Sequence, residues 1–354
     1  MPNAAPEVLV TNFHRRFTGV SATADAVLCG MHRYFSTRLV GRPLPSAPQV
    51  LSLHSALLLS RRPPPNRPFS IWHVRRNLEM AIVIFARDHL RLPIRIVFTS
   101  AAQRRHSRVP RELISRMDAV VATTAQAASY VPHLASVVPH GVDTTRFYPA
   151  PDRSIAWKNL GLPGSSGIGI VGRIRHEKGT DCFVEAMCRV LTQRPDFTGV
   201  IVGRAMPSDA SFEQQLKRRL EMAELKNRVL FLGEQPRDRL PEIMRSLSLL
   251  VASPRYEGYG MTPLEAMASG VPVVATDTGV YRQIIDDGKN GYVVSIDDID
   301  GLTNAILQVT RDTDQMHRMG IYARDVATSR LSIDTEVLGY ADVYERLWKG
   351  EVFP

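Results

Sequence analysis

Short apolar runs alternate with segments of helical periodicity along almost the whole chain. This alternation is typical of parallel sheets covered by helices, the α/β class. In the first half we predict strands at residues 8–11, 49–53, 70–74, 95–99, 119–122 and 136–138. In the second half we predict strands at residues 168–172, 198–202, 229–232, 249–252, 271–275 and 291–294. The pattern therefore predicts two doubly wound domains.

Proline and glycine mark where these elements are interrupted. Residues 60–69 contain four prolines and predict a surface loop, because proline cannot continue a strand ladder. Residues 139–163 predict an interdomain linker, in which His140 is interpreted as a hinge residue. We place the domains at residues 1–145 and 146–330, followed by a C-terminal helix within 331–354. That helix has an aromatic stripe to bury, and the first domain is its candidate partner.

Composition narrows the class of protein. With 354 residues, 44% of them hydrophobic, the chain can bury two cores. The cysteines Cys29, Cys182 and Cys188 are odd in number and fit neither a zinc site nor a disulfide framework, which favours a reducing compartment. No apolar run reaches the length of a membrane span, and no leader pattern opens the sequence. We expect a cytosolic protein.

Charge divides the chain unevenly. Residues 1–150 hold nineteen arginines, no lysine and seven acidic residues, a net charge of +12. The remainder holds 25 basic and 28 acidic residues, a net charge of −3. An arginine-rich half suits an anionic partner such as phosphorylated lipid, nucleic acid or an anionic membrane face, while a solvated basic surface without a ligand is the simpler alternative.

Two adjacent phrases in the second half are candidate phosphate-binding motifs, and only the second supports such a site. GIGIVG, from Gly167 to Gly172, matches the dinucleotide fingerprint, but its glycines lie inside the apolar run and no helix follows directly, which argues against a nicotinamide or flavin site. The following phrase, RIRHEKG, leads into a helix. Its cations Arg173 and Lys178 predict a diphosphate clamp at a strand's carboxyl end.

A second constellation places two carboxylates eight positions apart. Glu257 lies in the glycine-rich loop YEGYG, where a carboxylate suits hydroxyl recognition. The loop's N–H groups at Gly258, Gly260 and Met261 suit the oxygens of a polar ligand. Glu265 follows Thr262 by three residues, so a capping box, with Thr262 as N-cap, competes with a binding role.

Together, GRIRHEKG, EGYGMTPLE with AMASGVPVVAT, and HGVDTTRFYP resemble the retaining, nucleotide-sugar-dependent glycosyltransferases of family 4. The resemblance implies the GT-B fold: two Rossmann-like domains with an interdomain cleft, the donor on the second and the acceptor on the first. It implies that Glu257 holds hydroxyls of the transferred sugar and Glu265 the ribose.

Further roles follow from the same resemblance. Arg173 and Lys178 carry the diphosphate, and a loop at residues 17–21 with Gly19 closes over it. His106 approaches the sugar, and its position after a predicted strand agrees with a site at the carboxyl edge. The chain departs from the family where a double glycine is common, since Gly279 and Gly19 each stand alone. Asp298 and Asp300 match a D-x-D motif, but N-capping explains them better, and we predict no metal and no cofactor.

The first half contains the phrases RRFTGVSATADAV and IVFTSAAQRRHSR, and with them it most resembles the lipopolysaccharide-core mannosyltransferases of Gram-negative bacteria. This resemblance implies mannose transfer from GDP-mannose to a lipid-linked acceptor, at the cytoplasmic face of the inner membrane and against its anionic surface. A UDP-sugar donor carrying glucose, galactose or N-acetylglucosamine, in polysaccharide synthesis, remains an alternative. A non-catalytic nucleic-acid-binding protein is a remote one, because no nucleic-acid motif accompanies the arginines and we expect no nucleic-acid partner. An NAD-dependent dehydrogenase is equally remote.

Overall fold

A computed structural model describes residues 4–15, 19–47, 49–102 and 104–353. The chain divides into two compact units. One comprises Met1–Gly141 together with Ile333–Pro354, and the other Val142–Ser332. The division lies four residues before the expected boundary, and the last helix belongs to the first unit.

The first unit is built on a parallel six-stranded sheet in the order β2-β1-β3-β4-β5-β6. Its strands are β1 (Val8–Asn12), β2 (Thr37–Gly41), β3 (Ser70–Val74), β4 (Ile94–Ser100), β5 (Ala119–Ala122) and β6 (Leu134–Val137). Its helices are α1 (Gly19–Met31), α2 (Leu53–Leu59), α3 (Asn77–Asp88), α4 (Arg108–Ile114), α5 (Ala125–Ala128) and α14 (Ile333–Trp348).

One predicted strand of the first unit is wrong. Residues 49–53 form no strand: Leu51 makes a single bridge to Val40, and Ser52 caps α2. The strand that the pattern missed is β2, at the edge of the sheet, where Arg38 is exposed. An edge strand tolerates such a charge, which breaks the apolar run that sequence analysis looks for.

The second unit repeats the architecture with a parallel sheet in the order β12-β11-β10-β7-β8-β9. Its strands are β7 (Ser166–Val171), β8 (Phe197–Val202), β9 (Val229–Gly233), β10 (Leu249–Ala252), β11 (Val273–Thr276) and β12 (Gly291–Val294). Its helices are α6 (Arg153–Asn159), α7 (Thr180–Gln193), α8 (Ala210–Met222), α9 (Leu240–Ser246), α10 (Met261–Ala268), α11 (Tyr281–Ile284), α12 (Ile299–Thr310) and α13 (Thr313–Ser329). All six strands expected here are present.

Each sheet carries a core on both faces, as the period of two along its strands requires. In the first unit Val8 and Val10 pack on one face and Leu9 on the other. The α14 stripe joins the first of these faces through Tyr340 and Tyr344, both fully buried, and Trp348. The aromatic stripe is thus part of the first unit's core.

The stretch predicted as a linker contributes to the core of the second unit instead. Trp157, in α6, is buried, and its Nε1 donates to the carbonyl of Pro163 at 3.2 Å. A Cβ on Gly167 would lie 2.0 Å from the Trp157 ring. The first glycine of GIGIVG therefore makes room for tryptophan against β7, and it lies within the strand rather than in a phosphate-binding turn.

Candidate functional site

A pocket opens at the carboxyl edge of the second sheet, where β7 and β10 end. In parallel sheets this edge is where ligands bind, because the loops there lead into helix N-termini. The lining residues come from β7, β8 and β10, from the loops after β7 and β10, and from α7, α10 and α11: Ile170, Val171, Gly172, Arg173, Lys178, Thr180, Ile201, Ala252, Ser253, Pro254, Glu257, Thr262 and Tyr281. Three of the predicted site residues, Arg173, Lys178 and Glu257, thus come together.

A single 3-10 turn, His176–Lys178, positions the lysine. It ends at Gly179, whose φ of 64° lies in the left-handed region. A Cβ at Gly179 would fall 1.7 Å from the carbonyl oxygen of Ser253. Arg255 holds the turn from the other side, because its guanidinium donates to the Asp181 carboxylate at 2.9 and 2.8 Å and to the carbonyl of His176. The turn is therefore fixed against both α7 and the loop after β10.

Lys178 and Glu257 form an ion pair inside this pocket. The Lys178 Nζ donates to Glu257 Oε2, and the two side chains are 27% and 19% exposed. The other carboxylate oxygen, Oε1, accepts from the N–H of Gly258 at 3.0 Å. Both oxygens of Glu257 are engaged, so the sugar-binding role predicted for it requires an exchange of partners.

Arg173 is the second cation of the pocket and differs from Lys178 in its surroundings. Its side chain is exposed, and it pairs with no residue that the structure describes. A free guanidinium beside a paired lysine gives the pocket an uncompensated positive charge suited to an anion.

The N-terminus of α10 forms the neighbouring wall and corrects the predicted capping box. The helix begins at Met261, with Gly260 as N-cap at a φ of 93° and without a side-chain cap. Thr262 is thus inside the helix, and it lines the pocket. A Cβ on Gly260 would lie 2.3 Å from the Tyr281 ring, so this glycine allows the loop from Gly258 to approach α11 closely.

Glu265 lies apart from the Lys178–Glu257 pair. It is partly buried, and burial raises the pKa of its carboxyl to about 7, although Arg146 and Arg237 pull the pKa down. It is not among the lining residues of the pocket. With no capping box to serve, the carboxylate has the two arginines as its electrostatic neighbours.

The segment that departs from the family's double glycine supports the Glu257 loop. Gly279 has a φ of 56°, and a Cβ there would lie 2.6 Å from the carbonyl oxygen of Tyr259. The N–H of Val280 donates to that carbonyl at 3.2 Å. Tyr281 is buried, and burial, with the nearby Glu257, raises its pKa well above the usual value. The sequence pattern assigned Tyr281 and Thr180 no role in the site and assigned Thr262 only a capping role, because their positions in the pocket depend on long-range packing.

Gly19 and His106 belong to the first unit. Gly19 is the exposed first residue of α1, while Phe17 and Thr18 of the predicted loop lie outside the described residues. His106 follows β4 and is partly buried, with its Nε2 3.4 Å from Ser100 Oγ. Burial lowers the pKa of His106, so its imidazole is neutral near pH 7.

Two further expectations concern His140 and the D-x-D pattern. His140 precedes Gly141, after which the chain passes into the second unit, and it is buried, with its Nδ1 2.8 Å from Glu336 Oε1 in α14; its interpretation as a hinge residue stays a prediction. Asp298 caps α12, since its Oδ1 accepts from the N–H of Gly301 at 2.8 Å, as predicted. Within the described ranges, no three His, Cys, Asp or Glu side chains cluster in a way that would hold a metal ion.

None of the helices within the described ranges combines the length and apolar character that crossing a membrane requires.

Comparison with known proteins gives a consistent family assignment. The family Glycosyl transferases group 1 matches residues 157–326. The chain is 39% identical to the lipopolysaccharide core biosynthesis mannosyltransferase LpsB of Rhizobium meliloti (strain 1021), over 97% of this chain and 98% of that protein. It is also 39% identical to LpcC of Rhizobium leguminosarum bv. viciae, of the same description, over 96% of each.

A solved structure agrees with the fold. The crystal structure of Anabaena Alr3699/HepE in complex with UDP superposes with a TM-score of 0.81, at 18% identity, over 96% of this chain and 99% of that one. With two six-stranded parallel sheets and a full-length match to named transferases, the chain is a glycosyltransferase of the GT-B fold and belongs to the family Glycosyl transferases group 1.

Proposed function

We propose that this protein transfers mannose from GDP-mannose to a lipopolysaccharide core acceptor and retains the anomeric configuration. The observation that carries the proposal is the 39% identity, across nearly the full length of both chains, to two rhizobial proteins described as lipopolysaccharide core mannosyltransferases. The pocket of the second unit supports it with groups of the right chemistry for a nucleotide diphosphate sugar.

Arg173 and Lys178 bind the diphosphate in this proposal. Charge that develops on the leaving diphosphate is stabilised by these two cations and by the N-termini of α7 and α10, each helix end supplying roughly half a positive charge. We propose that no metal ion takes part, because two cations and two helix termini already compensate the diphosphate charge.

Glu257 recognises hydroxyls of the transferred sugar. Donor binding exchanges partners: the diphosphate takes Lys178, and the released Glu257 carboxylate accepts hydrogen bonds from the sugar. Glu265 binds the ribose, Gly258, Gly260 and Met261 supply backbone N–H groups, Gly19 closes on the donor, and His106 approaches the sugar as a neutral imidazole.

The reaction proceeds on one face of the sugar. A double displacement would need a carboxylate free to attack the anomeric carbon, whereas in this proposal the released Glu257 carboxylate is occupied by the sugar hydroxyls, and Glu265 is not among the residues that line the pocket. In the proposed step the departing phosphate oxygen accepts the proton of the acceptor hydroxyl as the new glycosidic bond forms.

The acceptor binds the first unit. The net positive charge of the first unit attracts a lipid-linked saccharide that carries phosphate and carboxylate groups. The same charge holds the protein peripherally at the anionic cytoplasmic face of the inner membrane.

The proposal is tested by ligand binding and transfer without added metal. The purified protein is melted with GDP, GDP-mannose, UDP and UDP-sugars, since a ligand at 100 times its Kd stabilises the fold by about 2.7 kcal/mol. We expect GDP and GDP-mannose alone to raise Tm, and radiolabelled mannose to reach a core acceptor that lacks it. A response to UDP and UDP-sugars alone would overturn the donor. Tm shifts without any transfer to the core acceptor would overturn the acceptor.

A further inference from the structure

The first unit contains a buried guanidinium without a partner. Arg75, the residue after β3, is only 9% exposed. Its Nε, Nη1 and Nη2 are all buried, and none of them has a hydrogen-bond partner among the described residues. Isolated burial of a charged group is costly, and natural proteins normally pair such a charge or give it hydrogen bonds. This guanidinium therefore needs an explanation.

The carboxylates near Arg75 are already occupied. Glu79 is fully buried and accepts from the Thr11 hydroxyl at 2.9 Å and from the Arg75 backbone N–H at 2.8 Å. Glu336, 1% exposed, binds His140 and the N–H of Gly141 at 2.8 and 2.7 Å. Neither carboxylate forms an ion pair with the Arg75 guanidinium, and no other residue among those the structure describes does so.

Arg75 lies where the core meets the edge of the sheet: its charge acts on the buried His73, Tyr340 and Tyr344, while its backbone stands just past the end of β3. Side chains alternate along β3, and Ile71 and His73 lie on the face that packs against α14, so Arg75 continues that row past the end of the strand. This is the carboxyl edge of a parallel sheet, where ligands bind in α/β proteins.

A second unpartnered group lies at the same edge. Thr123, the residue after β5, is 1% exposed, and its hydroxyl has no partner among the described residues. It extends the row of Ala119 and Val121 on the same face, and its N–H donates to the carbonyl of Ser100 at 2.9 Å. Arg75 and Thr123 thus stand on either side of β4, the strand that separates theirs in the sheet.

We propose that Arg75 and Thr123 form a subsite for an anionic group, a phosphate or a carboxylate, on the saccharide acceptor. This inference rests on the proposed function and names the part of the first unit that recognises acceptor charge. A guanidinium binds either oxyanion bidentately, and a threonine hydroxyl donates a further hydrogen bond.

The side chain moves at little cost. Its guanidinium gives up no hydrogen bond when a rotamer change carries it to the sheet edge, so the anion offers a partner without competition.

The test compares acceptor binding and transfer by wild type and Arg75→Met. Wild type is assayed first with the core acceptor, and binding of that acceptor is measured separately by calorimetry in the presence of GDP. We expect Arg75→Met to raise the acceptor Kd and KM about tenfold to a hundredfold, as loss of a charged hydrogen-bonding group does. We expect unchanged GDP-mannose affinity and no fall in Tm, because an unpaired buried charge is removed.

Arg62→Met is the matched control. Arg62 is exposed in the same unit and pairs with no residue that the structure describes, so the variant loses the same charge without touching the subsite. Any small rise in the acceptor Kd caused by Arg62→Met should vanish at high salt, whereas the rise caused by Arg75→Met should persist. Thr123→Val should raise KM less than Arg75→Met, and Arg75→Lys should fall between wild type and Arg75→Met. These two variants decide the matter if Arg75→Met fails to fold.

Two acceptor preparations separate the possible anions. If the anionic group is a phosphate, enzymatic dephosphorylation of the acceptor saccharide should remove the difference in acceptor Kd between wild type and Arg75→Met. If it is a carboxylate, amidation of the acceptor's carboxylates should remove that difference. An unchanged acceptor Kd in Arg75→Met, or a fall in Tm without a change in Kd, would overturn the subsite. Absence of mannose transfer by wild type would instead overturn the proposed function.

Discussion

At the scale of single residues, the ion pair of Lys178 with Glu257 is the central contact in the pocket of the second unit. In the protein without a ligand, the Lys178 ammonium and the Glu257 carboxylate neutralise each other. Neither of these two partly buried charges is therefore left without a counter-ion. The positive charge of the pocket that has no partner among the described residues is that of Arg173, and in the proposed function an incoming diphosphate meets it first.

This pairing predicts opposite effects on nucleotide binding and on turnover. Glu257→Gln should release Lys178, so GDP, which has no sugar, should bind several-fold more tightly. Mannose transfer should fall by about a hundredfold or more, because the amide is a weaker acceptor for sugar hydroxyls. Calorimetry and steady-state kinetics measure the two effects. Glu177→Gln, an exposed neighbour in the same turn, is the control, and unchanged turnover in Glu257→Gln would contradict its role.

Glu265 predicts a pH dependence of donor affinity. Its pKa of about 7 lies above the usual value of a glutamate, so its carboxyl is partly protonated at neutral pH in the free protein. Hydroxyl recognition favours the ionised form, so KM for GDP-mannose should fall as pH rises from 6 to 8. The diesterified diphosphate of that donor does not titrate in this range. Glu265→Gln should have a higher and flat KM, and a pH slope that survives in this variant would refute the assignment.

The raised pKa of Glu265 also affects the stability of the fold, and it does so in the opposite direction with pH. A carboxyl whose pKa is raised in the folded state stabilises the fold at low pH, and this contribution is lost as pH rises from the unfolded value near 4.5 through about 7. We therefore expect donor binding, which requires the ionised carboxylate of Glu265, to be strongest above pH 7, where the free protein has lost this contribution to its stability.

At the scale of secondary-structure elements, the connection from β7 to α7 depends on Gly179. The left-handed backbone and the contact with Ser253 at this residue are separate constraints on one position. Together they fix where the 3-10 turn delivers Lys178.

Two glycine substitutions separate these constraints. Gly161 has a φ of 68° and no atom within 4 Å of an added Cβ, so Gly161→Ala should cost only about 1 kcal/mol for the left-handed conformation. Gly179→Ala has a φ of 64° but also a clash, and should cost about 2 kcal/mol more. Urea unfolding measures both, and GDP affinity should fall in Gly179→Ala alone. Equal costs for the two variants would mean that the Ser253 contact relaxes freely.

At the scale of the whole molecule, charge and core follow different divisions of the chain. The net charge of +12 lies in residues 1–150. The first unit, however, also needs α14, whose aromatic residues complete its core almost two hundred residues later. The last residues of the chain thus help to support the sheet that carries the proposed acceptor subsite.

The charge division predicts salt-dependent membrane binding. Vesicles containing phosphatidylglycerol should bind the protein at 50 mM NaCl, and 500 mM NaCl should weaken binding about tenfold or more, because the Debye length shortens to a few ångströms. Sedimentation with vesicles measures this, with phosphatidylcholine vesicles as the uncharged control. Binding that does not respond to salt would show that electrostatic steering is not the cause.

Local sequence determined the α/β class, eleven of the twelve strands and three residues, Arg173, Lys178 and Glu257, that line one pocket in the structure. Apolar runs, strand-end loops and glycine phrases carry that information within a few neighbouring residues. The strand that failed, β2, is an edge strand with an exposed arginine, and its assignment depends on pairing with β1 and not on its own composition.

Tertiary structure alone decided which of these residues act together. Lys178 and Glu257 are 79 residues apart in sequence, and only the meeting of β7 and β10 pairs them. The same folding keeps Glu265 out of the lining of their pocket, brings His140 onto Glu336, and leaves the Arg75 guanidinium buried without a hydrogen-bond partner among the described residues. Burial and charge compensation are sums over neighbours distant in the chain, so no local pattern encodes them.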